Sequence, residues 1–262
     1  MSRVSVLMGI YNCASTLPEA LDSLYAQTYQ DFKIILCEDG STDDTYQVAR
    51  SYADRYDNIV LVRNERNMGL NYTLNRCLEF ADTEYCARMD GDDISLPTRF
   101  EKEVAFLDEH PEYAIVSCPM EYFDQKGVYK KGIAKEMPDR LDFAKGSPFC
   151  HAPCMIRTEA YNAVGGYTVD QKLLRVEDDH LWLKLYAKGY KGYNIQEVLY
   201  QMRDDQHAQS RRTWMSRRNE MYVRRLCFRM LNLPWYKRVY ILRPLLAYLA
   251  PSRLYSFYHR NH

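Results

Sequence analysis

Two hydrophobic periods alternate along the first 120 residues. Val4 to Tyr11 (VSVLMGIY) is apolar and rich in β-formers, which predicts a strand. Thr16-Leu17-Pro18-Glu19 has the spacing of a capping box, and the helical pattern behind it runs through Leu21, Leu24 and Tyr25. Phe32 to Cys37 (FKIILC) predicts a second strand, followed by a turn at Glu38-Asp39-Gly40-Ser41-Thr42-Asp43 and then a helix. Ile59 to Val62 predicts a third strand and Gly69 to Phe80 a third helix, before an apolar run, Tyr85-Cys86-Ala87, that reads as a strand end. Strands alternating with helices of this length predict βαβ units and a parallel sheet covered on both faces. Farther on, the pattern predicts a helix from Pro97 to Asp108, one strand from Ala114 to Phe123 leading into a hairpin, and a short strand from Pro153 to Arg157. A helix is expected to open at Glu177-Asp178-Asp179, with Leu181, Trp182 and Leu185 on its apolar face.

This order has a geometric consequence. In open α/β sheets, ligands bind beyond the carboxyl ends of the strands. Asn12, Asp39, Asn67 and Asp90-Gly91-Asp92-Asp93 each follow a predicted strand, so four polar groups are expected at one sheet edge. In Asp90-Gly91-Asp92-Asp93, three carboxylates crowd one glycine, and crowded carboxylates raise each other's pKa unless a cation sits among them. A hard divalent ion, Mn²⁺ or Mg²⁺, suits oxygen ligands and completes its shell with phosphate oxygens. The alternative is an acidic, solvated turn.

Composition narrows the class. A chain of 262 residues with 47% hydrophobic and 27% charged positions is globular, and can hold one large domain or a domain with an appendage. No apolar run reaches bilayer-spanning length and Met1-Ser2-Arg3-Val4 opens no signal peptide, so a cytoplasmic protein is expected. Its eight cysteines are scattered through apolar runs, as core hydrophobes of a reducing compartment would be. Cys150-His151-x-x-Cys154 lacks the second pair that a zinc site would need. The zero net charge conceals a split: residues 203–262 carry 13 Lys and Arg against 3 Asp and Glu, and residues 1–202 carry 22 against 32.

Five segments in order, VSVLMGIYN, EDGSTDDT, NMGLNYTLN, MDGDD and VEDDHLWLKL, resemble the family 2 glycosyltransferases over most of residues 3–203. MGIYNC and GSPFCH bring the likeness closest to enzymes of bacterial exopolysaccharide and capsule biosynthesis. Gly9 departs from the pattern, since many members carry proline there. The resemblance implies an α/β GT-A fold, with a Rossmann-like nucleotide-binding half and a mixed central sheet. It assigns residues 1–203 to the catalytic domain and leaves 204–262 as a basic, aromatic, helical extension. It further implies an inverting, metal-dependent enzyme that moves a sugar from a nucleotide-diphosphate donor, UDP-linked by preference, to a glycan acceptor carried on polyprenyl diphosphate.

Residue by residue, the resemblance gives Asp39 a contact with the uracil or ribose, Asp90 one with the ribose or sugar, and Asp92 the Mn²⁺ or Mg²⁺. Asp93 would support sugar or metal, and Asp178 would be the catalytic base beside Glu177. Tyr11, Asn12, Asn67, Gly69, Gly91, His151 and Arg203 would line the donor site, with His207 and Arg211 as further candidates for the diphosphate. Each has a plainer reading: Glu177, Asp178 and Asp179 could decorate a helix N-terminus, Gly69 could serve a turn, and His151 could be a core histidine.

A haloacid-dehalogenase-type phosphatase would use Asp90 and Asp92, but it wants Thr or Val where this chain has Ile94 and gives Glu177-Asp178 no task. A family member that binds nucleotide sugar and serves a protein partner without catalysis is the other alternative. The extension carries ten aromatic residues among its 13 basic ones, including the runs Arg243 to Leu249 and Leu254 to Tyr258. That composition suits an anionic membrane surface, a homodimer interface, or packing on the acidic domain. Nucleic acid is disfavoured, since no nucleic-acid motif accompanies the charge.

Overall fold

The computed structural model describes residues 2–204 and 213–249. His207, Arg211 and the run from Leu254 to Tyr258 lie outside them. A seven-stranded sheet forms the centre, in the order β10-β6-β9-β4-β1-β2-β3. Its parallel part comprises β1 (Val4–Ile10), β2 (Phe32–Glu38), β3 (Ile59–Arg63) and β4 (Tyr85–Arg88). Beyond β4 the sheet becomes mixed. β9 (Met155–Arg157) runs antiparallel between β4 and β6 (Ile115–Ser117), and β10 (Gly192–Asn194) pairs parallel with β6.

Strand alternation sends residues to two cores. Leu7, Ile35 and Cys37 face one side, with Leu74 and Cys77 of α3 (Leu70–Leu78) and Leu181, Trp182 and Leu185 of α6 (Glu177–Ala187). Val6, Met8, Ile34 and Leu36 face the other, with Leu21 and Leu24 of α1 (Leu17–Tyr25) and Phe100, Val104 and Leu107 of α4 (Arg99–Glu109). Gly9 allows α3 close approach, since a Cβ there would lie 3.1 Å from both Leu70 and Thr73. Inside α4, Arg99 and Glu103 form a fully buried ion pair, and the Arg99 Nη2 group also donates to the carbonyls of Arg88 and Cys154. Burial pushes the Glu103 carboxyl up to about 7, against the pull of Arg99.

Two sequence expectations need correction. The segment from Ala114 to Phe123 is two strands, β6 and β7 (Met120–Asp124), because the chain leaves the central sheet around Cys118-Pro119. β7 joins a separate four-stranded sheet, β5-β11-β7-β8, with β5 (Ile94–Ser95), β8 (Gly127–Lys131) and β11 (Tyr200–Arg203). The central sheet is mixed, as the family resemblance implies: β1 to β4 are parallel, as their alternation with helices predicts, and β9 reverses direction. No capping box forms at α1: the Thr16 hydroxyl donates to the carbonyl of Gly91 at 3.0 Å, and Glu19 pairs with Arg203. Both box residues are thus committed to the loops beyond the sheet edge. The helix expected over 97–108 begins at Arg99, and that over 69–80 spans Leu70–Leu78.

The extension does not stand apart. α7 (Trp214–Met230) contributes Val223, Cys227 and Phe228 to the same apolar cluster as Trp182 and Leu183. A 3-10 segment, Trp235–Leu242, and α8 (Arg243–Leu249) follow it. No helix among the described residues is long and apolar enough to cross a membrane.

Candidate active site

Strand register aligns the loops that carry the polar groups. Ile10 at the end of β1 pairs with Glu38 at the end of β2, and Leu7 pairs with Arg88 at the end of β4. Beyond β1, Asn12 has a left-handed backbone (φ 48°), a conformation asparagine tolerates. Its Oδ1 accepts from the Thr42 N–H at 2.9 Å and its own N–H donates to Ser41 Oγ at 3.1 Å, which locks the first two loops together. Tyr11 beside it is exposed.

Asp39 is buried and acts as a knot for the third loop. It accepts from Asn64 Nδ2 at 2.8 Å and from the N–H groups of Met68 and Gly69 at 2.9 and 3.0 Å. Gly69 holds φ 90° at the head of α3, and Asn67 is exposed in the same loop.

At the end of β4, Asp90, Asp92 and Asp93 each present a carboxylate oxygen, and these atoms lie within 4.8 Å of one another. Among the described residues this is the one such grouping of potential ligands, and Cys150, His151 and Cys154 form none. An all-oxygen donor set that close fits Mn²⁺ or Mg²⁺. Burial, then the charges of Asp90 and Asp92, raise the Asp93 pKa well above the usual range. Gly91 is required by packing, since a Cβ would stand 2.8 Å from Cys13 Sγ and 3.2 Å from Ile10 Cγ2.

Arg203 at the end of β11 clamps this loop. Its backbone N–H donates to Asp93 Oδ1 at 2.9 Å, its Nε to the carbonyl of Asp92 at 2.8 Å, and its Nη2 to Glu19. The guanidinium also lies 4.5 Å from the ring centroid of Phe123.

Glu177, Asp178 and Asp179 open α6 and are half-buried. Burial raises the Asp178 pKa, and it pushes Glu177 and Asp179 up to about 7, each also raised by the charge of Asp178. The turn before α6 is held from α7, where buried Asn219 donates to the carbonyls of Gln171 and Leu174, both at 3.1 Å. His151 Nε2 lies 2.7 Å from the Tyr167 hydroxyl, with its ring edge-on to Trp182. Burial, then the positive charge of Arg88, hold its pKa well below the ordinary value, so His151 is neutral.

Arg88 joins these parts, and sequence reasoning missed it. It is buried, pairs in bidentate fashion with Asp90, and its charge bears on Glu177, Asp178 and His151. A charged residue closing the apolar run YCA was the available signal. Tyr200, whose hydroxyl accepts from the Asp90 N–H at 3.2 Å, and Asn219 gave none. The site therefore gathers Asp90, Asp92, Asp93 and Arg203 in one loop cluster, pairs Asp90 with a buried Arg88 whose charge favours ionised Asp178, and ties Asn12 and Asp39 into adjoining loops.

Glycosyl transferase family 2 matches residues 5–165, and glycosyl transferase family group 2 matches residues 86–258. The chain is 43% identical to EpsE of Bacillus subtilis (strain 168) over 261 residues, covering 99% of this chain and 94% of that protein. It is 33% identical to the amylovoran biosynthesis glycosyltransferase AmsE of Erwinia amylovora, covering 85% and 84%. It is 36% identical to the UDP-Gal:alpha-D-GlcNAc-diphosphoundecaprenol beta-1,3-galactosyltransferase of Escherichia coli, covering 80% and 77%. Among solved structures, Staphylococcus aureus TarS 1–349 in complex with UDP shares the fold, with a TM-score of 0.72 at 20% identity over 98% of this chain and 74% of that one.

Proposed function

The chain belongs to glycosyl transferase family 2 and has its GT-A fold, and from that premise we propose that it is an inverting, metal-dependent transferase. Its donor is a UDP-sugar and its acceptor a glycan on polyprenyl diphosphate, made at the cytoplasmic face of the membrane for a surface polysaccharide or capsule. The Escherichia coli relative, named for a UDP-sugar and a diphosphoundecaprenol acceptor, supports both choices.

The observation that carries the reading is the three-carboxylate cluster at the end of β4, braced by the buried Arg88 that pairs with Asp90. Asp178 takes the proton of the acceptor hydroxyl as that oxygen bonds to the anomeric carbon, while the bond from that carbon to the diphosphate oxygen breaks on the opposite face. One base suffices, and no enzyme-bound sugar is needed. Asp92, flanked by Asp90 and Asp93, would hold a Mn²⁺ or Mg²⁺ that supplies Lewis-acid stabilisation to the leaving diphosphate. A carboxylate offers roughly four acceptor positions, and Asn64, Met68 and Gly69 engage Asp39 with three bonds. The remaining capacity suits a uracil imide or a ribose hydroxyl. Tyr11, Asn12, Asn67, Gly69 and Gly91 form the surrounding loops, Arg203 fixes the Asp92-Asp93 loop, Glu177 adjoins the base, and His151 packs on Trp182 of the same helix.

A thermal-shift screen of UDP-, GDP- and dTDP-sugars, with and without Mn²⁺, tests the donor. Stabilisation by UDP-sugars that depends on the ion is expected, and a response to none of the nucleotides would overturn the reading. Transfer to an undecaprenyl-diphosphate-linked sugar, with inverted anomeric configuration in the product, tests the rest.

A further inference from the structure

The described part of the extension presents large apolar side chains that no other described residue covers. Trp235 is 78% exposed, Tyr236 61%, Val239 66% and Leu246 66%. Trp214, Met215, Leu242, Tyr248 and Leu249 are exposed with them. Distant stretches are brought together here: the rings of Trp214 and Tyr248 lie 5.4 Å apart, at the start of α7 and near the end of α8.

The face is held firmly. Lys237 Nζ donates to the carbonyl of Leu141 and Arg243 Nη1 to that of Lys145, at 3.3 and 2.9 Å, which anchors the segment to the catalytic core. α7 is two-sided. Asn219, Val223 and Cys227 are buried toward α6, whereas Trp214, Arg218, Arg225 and Arg229 are exposed on the opposite side. Residues 213–249 carry eight Lys and Arg and a single acid, Glu220, which is paired with Arg217.

Charge selects the occupant. A second copy would set this basic face against itself, and a nucleic acid would leave the aliphatic side chains without a partner. A lipid surface satisfies both components, because indole, phenol and arginine side chains settle at the headgroup boundary and aliphatic ones enter the acyl layer. We propose that the surface formed by Trp214, Trp235, Tyr236, Val239 and Leu246, with the exposed arginines of α7, docks on an anionic lipid bilayer. The proposal rests on the lipid-linked acceptor of the preceding reading. It also sets the docked surface on the same helix whose inner side holds the turn before Asp178.

The experiment uses the full chain with vesicles of phosphatidylcholine, with and without phosphatidylglycerol. Cosedimentation with the anionic vesicles only, weakened by salt, is expected, together with a blue shift of tryptophan emission. Trp235→Ala combined with Val239→Glu should weaken binding about tenfold or more, and Arg225→Glu combined with Arg229→Glu should weaken it about tenfold or more. All four positions are exposed, so circular dichroism should be unchanged. Equal binding to neutral vesicles, no binding, unaffected variants, or a dimer that removes Trp235 from solvent without lipid would each overturn the proposal. Transfer to a short-chain, water-soluble diphosphate acceptor separates the two readings. Vesicle binding without transfer in the parent chain would sink the enzymatic assignment and leave the docking surface standing.

Discussion

Both Nη groups of Arg88 donate to Asp90, one to each carboxylate oxygen, with the arginine buried and the aspartate half-exposed. The fork fixes the direction of a carboxylate in the acidic loop while placing positive charge near the head of α6. A lysine supplies one point charge and no fork. Arg88→Lys should therefore retain the fold but weaken UDP binding in Mn²⁺ and lower kcat, each about tenfold or more. Calorimetric titration with UDP and single-turnover transfer measure the two effects. Wild-type values for both would show that Arg88 serves packing alone.

Asp92 and Asp178 should fail in different ways. Asp92→Ala should abolish ion-dependent UDP binding, so the stabilisation of about 2.7 kcal/mol expected at a hundredfold excess of ligand over Kd disappears. Asp178→Asn should bind UDP as the parent does and lose about 10²- to 10⁴-fold in transfer. Full transfer by Asp178→Asn would remove it as the base.

Asn219 acts on the reaction from the far side of α6. Its amide holds two carbonyls in the turn that delivers Glu177 and Asp178. Asn219→Ala should cost about 1–3 kcal/mol of stability and lower kcat about tenfold with the donor KM unchanged. An equal loss in donor affinity would point to general loosening instead.

The Glu103 carboxyl gives the protein a pH-dependent stability. Its pKa stands at about 7 in the fold against an ordinary 4.5, so between these values the folded chain keeps a proton that the unfolded chain has released. The associated stability is fully present below the ordinary value and is lost as pH rises through about 7. Tm should fall from pH 5 to pH 8 by about 2–4 °C per kcal/mol, and Glu103→Gln should flatten the slope. Part of it should persist, because Glu177 and Asp179 are raised in the same direction.

Much of this was legible in sequence, for identifiable reasons. β1, β2 and β3 are apolar runs bounded by turn residues, and each was placed to within a residue at most ends. Asp90, Asp92 and Asp93 were legible because close carboxylates imply a cation. The departure of the chain from the central sheet between β6 and β7 was not, because Ser117 to Met120 is buried throughout and gives no break in polarity. Thr16 and Glu19 matched a local motif, yet partners at Gly91 and Arg203 took them. Tyr200 acts across 110 positions and Asn219 across 45 and 48, and Arg88 pairs with its near neighbour Asp90 only because both meet at a buried strand end, which no local pattern records.

The position of β9 bears on how the chain is made. It fills the gap between β4 and β6, so β4 has only β1 beside it until Met155–Arg157 has been synthesised. A nascent chain that has formed β1 to β4 therefore carries an open hydrogen-bonding edge on the ribosome while some 65 further residues are added. That edge is where a premature stop or a stalled ribosome would leave a sticky fragment, and the nucleotide-binding half cannot be excised as a free-standing module without a substitute for β9.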